Sequence, residues 1–326
     1  MIVEEELQAW LTDRGAHQRV ERAADRSAKA WSAGPVHRRF DEVLGALRGA
    51  GVDQILAAIR GLFSDDSWVD ALIGHLARSM RDDPYFEPPF RALHSDIHSG
   101  LLVFEDSHVD IAAGVSRAAQ LAAKKNAKTK AASVNFTGQV SLLKFVKAGG
   151  ARIGFWEGPE IGEDFSAATA GTCRRTGSRA IADGEILVID GRRQSYVIEH
   201  ARSNLVVLQA NLRTGQAPVA AEYDAASGAY IGCSATDDGA SRIQMIATLV
   251  RKLGHDEAFE AIAAFLGHPS FFVRWHAMRE LVGIDAVAAL PHLKRMAARD
   301  PHRDPRAAAR LVLDRIESAL PRKDAA

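Results

Sequence analysis

Between residues 100 and 235, short runs rich in Val, Ile, Phe and Tyr alternate with turns built from Gly and Asp. "GLLVF" and "HVDIAAGVS" stand on either side of "EDS". "QVSLLKFV" and "ARIGFWE" flank "KAGG", and "GEILVI" and "SYVIEH" flank "DGRR". "SNLVVLQANL" follows, and "PVAAEYD" and "AYIGCS" flank "AASG". Gly-Gly and Asp-Gly pairs adopt the positive φ that tight hairpins demand, so KAGG and DGRR predict hairpins. At least seven short strands joined this way predict an antiparallel sandwich or barrel. A doubly wound sheet would place a helix between successive strands.

On both sides of this block the apolar period becomes helical. Phe40, Val43, Leu44 and Leu47 are spaced by three and four, and Ile55, Leu56, Ile59 and Leu62 resume beyond Gly49 and Gly51. "DDSWVDALIGHLARSM" begins with an Asp/Ser cap and carries Trp68, Leu72 and Leu76 on one face. Pro84, Pro88 and Pro89 end this helical part. After "SATDDGAS", Ile243, Ile246, Leu249 or Val250, and Leu253 form a stripe, and Phe259, Ile262 and Leu266 follow. The fold class expected is α+β and multidomain. A helical N-terminal domain covers 1–85, an antiparallel β barrel or sandwich 86–238, a short α-helical C-terminal domain 239–320, and a polar tail 321–326.

The helical end contains a repeat. "HPSFFVRWHA" and "DPHRDPRAAA" align so that Pro269, Arg274 and Ala277 fall on Pro301, Arg306 and Ala309, each pair 32 positions apart. Proline stops the preceding helix, arginine reaches back to loop carbonyls, and alanine admits a neighbouring helix. Over about 241–318 this resembles the HEAT-repeat family, whose second helix often opens with D-P-x-x-x-V-R-x-x-A. The resemblance implies protein or peptide binding and no catalysis. With two units visible, the segment is expected to pack on the β domain. Phe271, Phe272 and Trp275 read as its core.

The middle segment resembles the cupin family of small double-stranded β-helices, through "DGEILVIDGRRQSYVIEHARSNLVVLQANL". That resemblance implies a small ligand or a metal at the barrel mouth. The family's paired histidines with a following glutamate are absent. Another constellation is His94 and Asp96 of "LHSDIHSG" with a distant His200, the residue types of a facial triad that leaves metal positions open. Iron and 2-oxoglutarate oxygenases are similar in this respect. The resemblance implies Fe(II) on His94, Asp96 and His200, with Arg213 holding the carboxylate of 2-oxoglutarate. Glu199 and His200 are adjacent on a strand, so they face opposite ways and share no pocket.

Lys124, Lys125, Lys128 and Lys130, with Lys144 and Lys147 near in sequence, form a basic patch suited to an anionic ligand or partner. In the whole chain 41 basic residues balance 41 acidic ones, which argues against a general nucleic-acid or membrane-surface role. "MIVEEELQAW" has no apolar secretory core, and no run of 18 apolar residues predicts a membrane span. Cys173 and Cys233 form no C-x-x-C pair and are expected reduced, at least one of them half-buried in a strand, in a cytoplasmic protein. No P-loop, G-x-S-x-G or H-E-x-x-H occurs. Two function classes remain. One is a non-catalytic binding or regulatory protein without a cofactor, acting on a protein or peptide partner, with room for a small molecule in the barrel. The other is the non-haem iron oxygenase.

Overall fold

The computed structural model describes residues 8–65, 67–82, 86–88, 90–126 and 132–319. Helices α1 (Arg14–Ser32), α2 (Pro35–Gly45), α3 (Val52–Ser64) and α4 (Ser67–Asp82) come first. Asp13 caps α1 by accepting the Ala16 N–H at 3.0 Å. Next come β1 (Arg91–His94), β2 (His98–Glu105), β3 (Val109–Ser116), α5 (Ala118–Asn126), β4 (Ser133–Phe136), β5 (Val140–Lys147) and β6 (Arg152–Glu157). The β region closes with β7 (Arg174–Ala180), β8 (Ile186–Asp190), β9 (Gln194–His200), β10 (Leu205–Leu212), β11 (Val219–Asp224) and β12 (Tyr230–Ala235). The chain ends in α6 (Asp238–Lys252), α7 (Phe259–Ala263), α8 (Phe271–Ile284), α9 (Ala286–Arg299) and α10 (Arg303–Ala319).

One antiparallel sheet has the order β1-β2-β3-β10-β5-β8. Two three-stranded sheets, β12-β11-β4 and β7-β6-β9, meet where Ser195 Oγ of β9 donates to the Asn135 carbonyl of β4 at 2.6 Å. The result is an antiparallel two-sheet β roll with helices before and after it, an α+β architecture.

Two of the expected hairpins are corners instead. β5 is already paired on one edge with β10 and on the other with β8, so no edge remains for β6. KAGG therefore carries the chain into the other sheet, where β6 pairs with β7 and β9. DGRR does the same between β8 and β9, while AASG closes a true hairpin between β11 and β12. Gly149 and Gly150 have φ of 60° and 63°, and a Cβ at Gly149 would collide with the Ser203 carbonyl oxygen.

β5 is buried on both faces along most of its length, Ser141 and Lys144 included. Val140 and Leu142 join Phe40, Ile55, Ile59 and Phe63 in a core made jointly with α2 and α3. Leu143 and Phe145 point the other way, into the inter-sheet core with Ile153, Leu187 and Leu205. Leu208, Ala210 and Leu212 of β10 belong to the helix-facing core as well. The N-terminal helices thus share their core with the sheet. Lys144, expected near the basic patch, is buried and donates to the Phe63 carbonyl at 2.7 Å. That carbonyl lies in the last turn of α3, where a cation offsets the helix dipole.

At the far side, Phe271 of α8 packs with Ile161, Phe165 and Tyr223 on the outer face of the second sheet. The His302 ring stacks on Phe271 at 3.8 Å with an interplanar angle of 7°. Among the described residues no helix is long and apolar enough to cross a membrane.

Candidate functional site

The helical end is held by two equivalent arginines. Arg274 Nη1 donates to the carbonyls of His268 at 2.9 Å and Pro269 at 2.8 Å. Arg306 Nη1 donates to the carbonyls of Asp300 and, at 3.0 Å, Pro301. Each guanidinium ties down the turn five and six residues before it. Arg274 goes further: Nε and Nη2 grip both carboxylate oxygens of Asp300 at 2.8 and 2.7 Å. A planar fork on a carboxylate is the strongest geometry available to such a pair. Ala277 and Ala309, at 2 % and 0 % exposure, sit where neighbouring helices approach.

A second polar cluster joins α6 to α8. Thr248 Oγ1 donates to Glu280 Oε1 at 3.0 Å and lies 2.8 Å from His276 Nε2, and Arg251 Nε donates to the same carboxylate. Burial pushes Glu280 up, but the bonds from Arg251 and Thr248 outweigh it and hold the carboxyl below its ordinary value. Burial holds His276 below the usual imidazole range.

Counting back 32 positions from Arg274 and Ala277 reaches Arg242 and Met245, both on α6. Of the repeat's marker residues α6 keeps the arginine alone: Asp237 stands at the proline place and Met245 at the alanine place, and Arg242 makes no hydrogen bond to the preceding turn among the described residues. Met245 is 71 % exposed, and Ile246, Leu249 and Leu253 are 60 %, 55 % and 63 % exposed. The stripe read from the sequence thus turns largely to solvent, and Ala240 and Ala247 are the buried side of α6. Sequence periodicity found the stripe but not its direction. Arg242 and Lys252 flank it, exposed and without an ion pair among the described residues.

The proposed iron ligands do not converge. His94 and Asp96 are exposed on the β1–β2 hairpin, and His94 Nδ1 lies 3.2 Å from Ser99 Oγ. His200 is exposed at the end of β9, in register with Arg152. Among the described residues no group of three His, Cys, Asp or Glu is placed to hold a metal. Arg213 is committed to carboxylates of its own sheet: its guanidinium pairs with Glu105 and, at 2.7 Å, Asp110. Glu199 pairs with Arg175 and accepts from Ser178 Oγ at 2.6 Å.

Of the basic patch, Lys128 and Lys130 lie outside the described residues, and only the backbone of Lys124 and Lys125, in α5, is described. Lys147 pairs with Asp183 at 3.2 Å. Both cysteines are free: Cys173 is buried but lies outside the strands, and Cys233 is in β12 but exposed.

Residues 232–314 match a family model described as HEAT repeats, a span that begins in β12 and covers α6. No curated protein matches the chain. Similar solved structures include ectoine synthase from P. lautus, at 11 % identity over 37 % of this chain and 67 % of that one, TM-score 0.23. A cupin domain from Bordetella pertussis Tohama I is 6 % identical over 37 % and 98 %, TM-score 0.23. A sugar phosphate isomerase of the cupin superfamily from Silicibacter pomeroyi is 10 % identical over 44 % and 79 %, TM-score 0.24. The two-sheet arrangement of this chain rests on its own strand pairing.

Proposed function

We propose that the protein is a non-catalytic docking module whose helical stack receives an amphipathic helix from a protein partner. The observation that carries this reading is the bare outer face of α6, with Met245, Ile246, Leu249 and Leu253 in solvent. HEAT repeats point to protein interaction in general. In a stacked array each helix covers the apolar face of the next, and an end left to water needs a polar outer surface. Here the end helix presents Met245 to solvent at the place where Ala277 and Ala309 meet neighbours. A helix laid on this face continues the stack. Arg242 and Lys252 at its margins favour acidic residues flanking the partner's apolar stripe.

The test compares the full chain with Leu249→Asp in quantitative affinity capture, and measures the molar mass of each alone by light scattering. The expected result is a monomer that retains a defined partner, and a variant that loses it at unchanged melting temperature. Retention by Leu249→Asp would sink the reading. A dimer of the chain that Leu249→Asp dissolves would replace the foreign partner with a second copy.

A further inference from the structure

The β roll contains a cavity of about 510 Å³ between the first three strands and β9, remote in sequence from the docking face. Its volume falls within the range for small-molecule sites, roughly 300–1,000 Å³. One wall is paved with small residues, Ala112 and Gly114 of β3; the other carries Phe145, Tyr196 and Ile198. The pleat explains the arrangement: Ala112 and Gly114 are two apart on β3 and so share the inward face.

The lining is selective in charge. No Lys, Arg, Asp or Glu contributes to it, and His94 and His98 stand towards the hairpin that carries them. A charged ligand entering here would lose water with no carboxylate, ammonium or guanidinium in the lining to pair with it. The uncharged or titratable polar groups of the lining are His94, Ser95, His98, Ser99 and Ser116 on the first three strands and their turn, and Tyr196 and Gln209 on β9 and β10. Gln209 donates through Nε2 to Asn211 Oδ1 at 2.7 Å, and Asn211 is itself held by Ser141 Oγ at 2.8 Å. This fixes the amide and leaves Gln209 Oε1 as an acceptor without a partner among the described residues. The Tyr196 hydroxyl has no hydrogen bond among the described residues either. Burial pushes its phenol up to about 12, so it is a donor at neutral pH.

We infer that this cavity binds an uncharged, mainly apolar small molecule that carries a carbonyl or hydroxyl acceptor for Tyr196. The ligand's flat or aliphatic body lies on the Ala112–Gly114 wall against Phe145 and Ile198.

Prodan, a neutral naphthyl ketone whose emission reports polarity and hydrogen bonding, is the probe. Titrated into the full chain, it is expected to bind saturably at one site with blue-shifted emission. Ala112→Trp fills the space and is expected to abolish binding, with the circular dichroism and melting temperature showing whether the fold persists. Tyr196→Phe, which removes one hydrogen bond without changing volume, is expected to weaken binding about three- to tenfold and shift the emission further to the blue. Leu249→Asp, on the helical stripe, is expected to leave prodan binding unchanged. The anionic dye anilinonaphthalene sulfonate is expected to bind at least tenfold more weakly than prodan. The inference is overturned by absence of saturable binding, by tight binding that survives both Ala112→Trp and Tyr196→Phe, by loss in Leu249→Asp, or by equal affinity for the sulfonate.

Discussion

Residues 268–281 and 300–313 share a spacing and a backbone role, yet they are locked differently. Arg274 is 6 % exposed and closes a bidentate pair with Asp300, whereas Arg306 spends its bonds on two carbonyls at the surface of the turn. The aspartate that opens the second unit is the partner of the arginine in the first; the first unit has His268 at that place. His276 and Glu280, which tie α8 to α6, are matched 32 positions on by Ala308 and Val312. One spacing thus supports a polar joint at the α6 end of the stack and an apolar one at the α10 end. A repeat motif sets where the turns go, and the neighbours decide what each position contributes energetically.

The comparison breaks hardest at Arg274. Removing one partner of a buried ion pair strands the other, so Arg274→Ala is expected to cost about 3–5 kcal/mol in urea unfolding. A loss below about 1 kcal/mol would mean that the carbonyl contacts, common to both units, are the whole of its role. Next come the alanines. Ala277→Leu and Ala309→Leu should each cost about 1–3 kcal/mol through overpacking. Met245→Leu, at the same position of the open end, should stay within about 0.5 kcal/mol. A large loss at Met245 would show that this face is already occupied. Arg306→Ala is expected to cost only about 1 kcal/mol, the net worth of its surface hydrogen bonds.

The smallest effect concerns pH. His276 has a folded pKa below its unfolded value, so the unfolded chain binds the proton more readily. Its contribution is complete above the ordinary imidazole value near 6.5 and falls away as the pH drops below it. Glu280 is also depressed in the fold, and its contribution is lost only at more acid pH, below the ordinary 4.5. His276→Gln should therefore flatten the decline of melting temperature from pH 7 to 5 and leave the decline below pH 4.5 in place. An unchanged slope between pH 7 and 5 would remove His276 from the account.

The strand block was legible because period-two runs and Gly/Asp turns are local signals. Which strands pair was not, because Gly149 and Gly150 report only that the chain turns tightly. Whether β5 has a free edge depends on β10, some sixty residues away in sequence. The repeat was legible through Pro, Arg and Ala at fixed spacing, but the acid that meets Arg274 lies in the next unit. The stripe on α6 has two candidate faces, and the smaller residues, Ala240 and Ala247, took the buried one because α8 approaches closely there. The metal reading failed for a geometric reason: His94 and Asp96 share an exposed hairpin, and His200 ends a strand of the other sheet.

The shared core beneath β5 also governs the order in which the molecule can be completed. The apolar faces of α2 and α3 are covered in part by Leu208, Ala210 and Leu212 of β10. During synthesis the segments of α2 and α3 leave the ribosome before their partner strand β10 has been made. At about 5–20 residues per second, they wait several seconds with that surface open to water and chaperones.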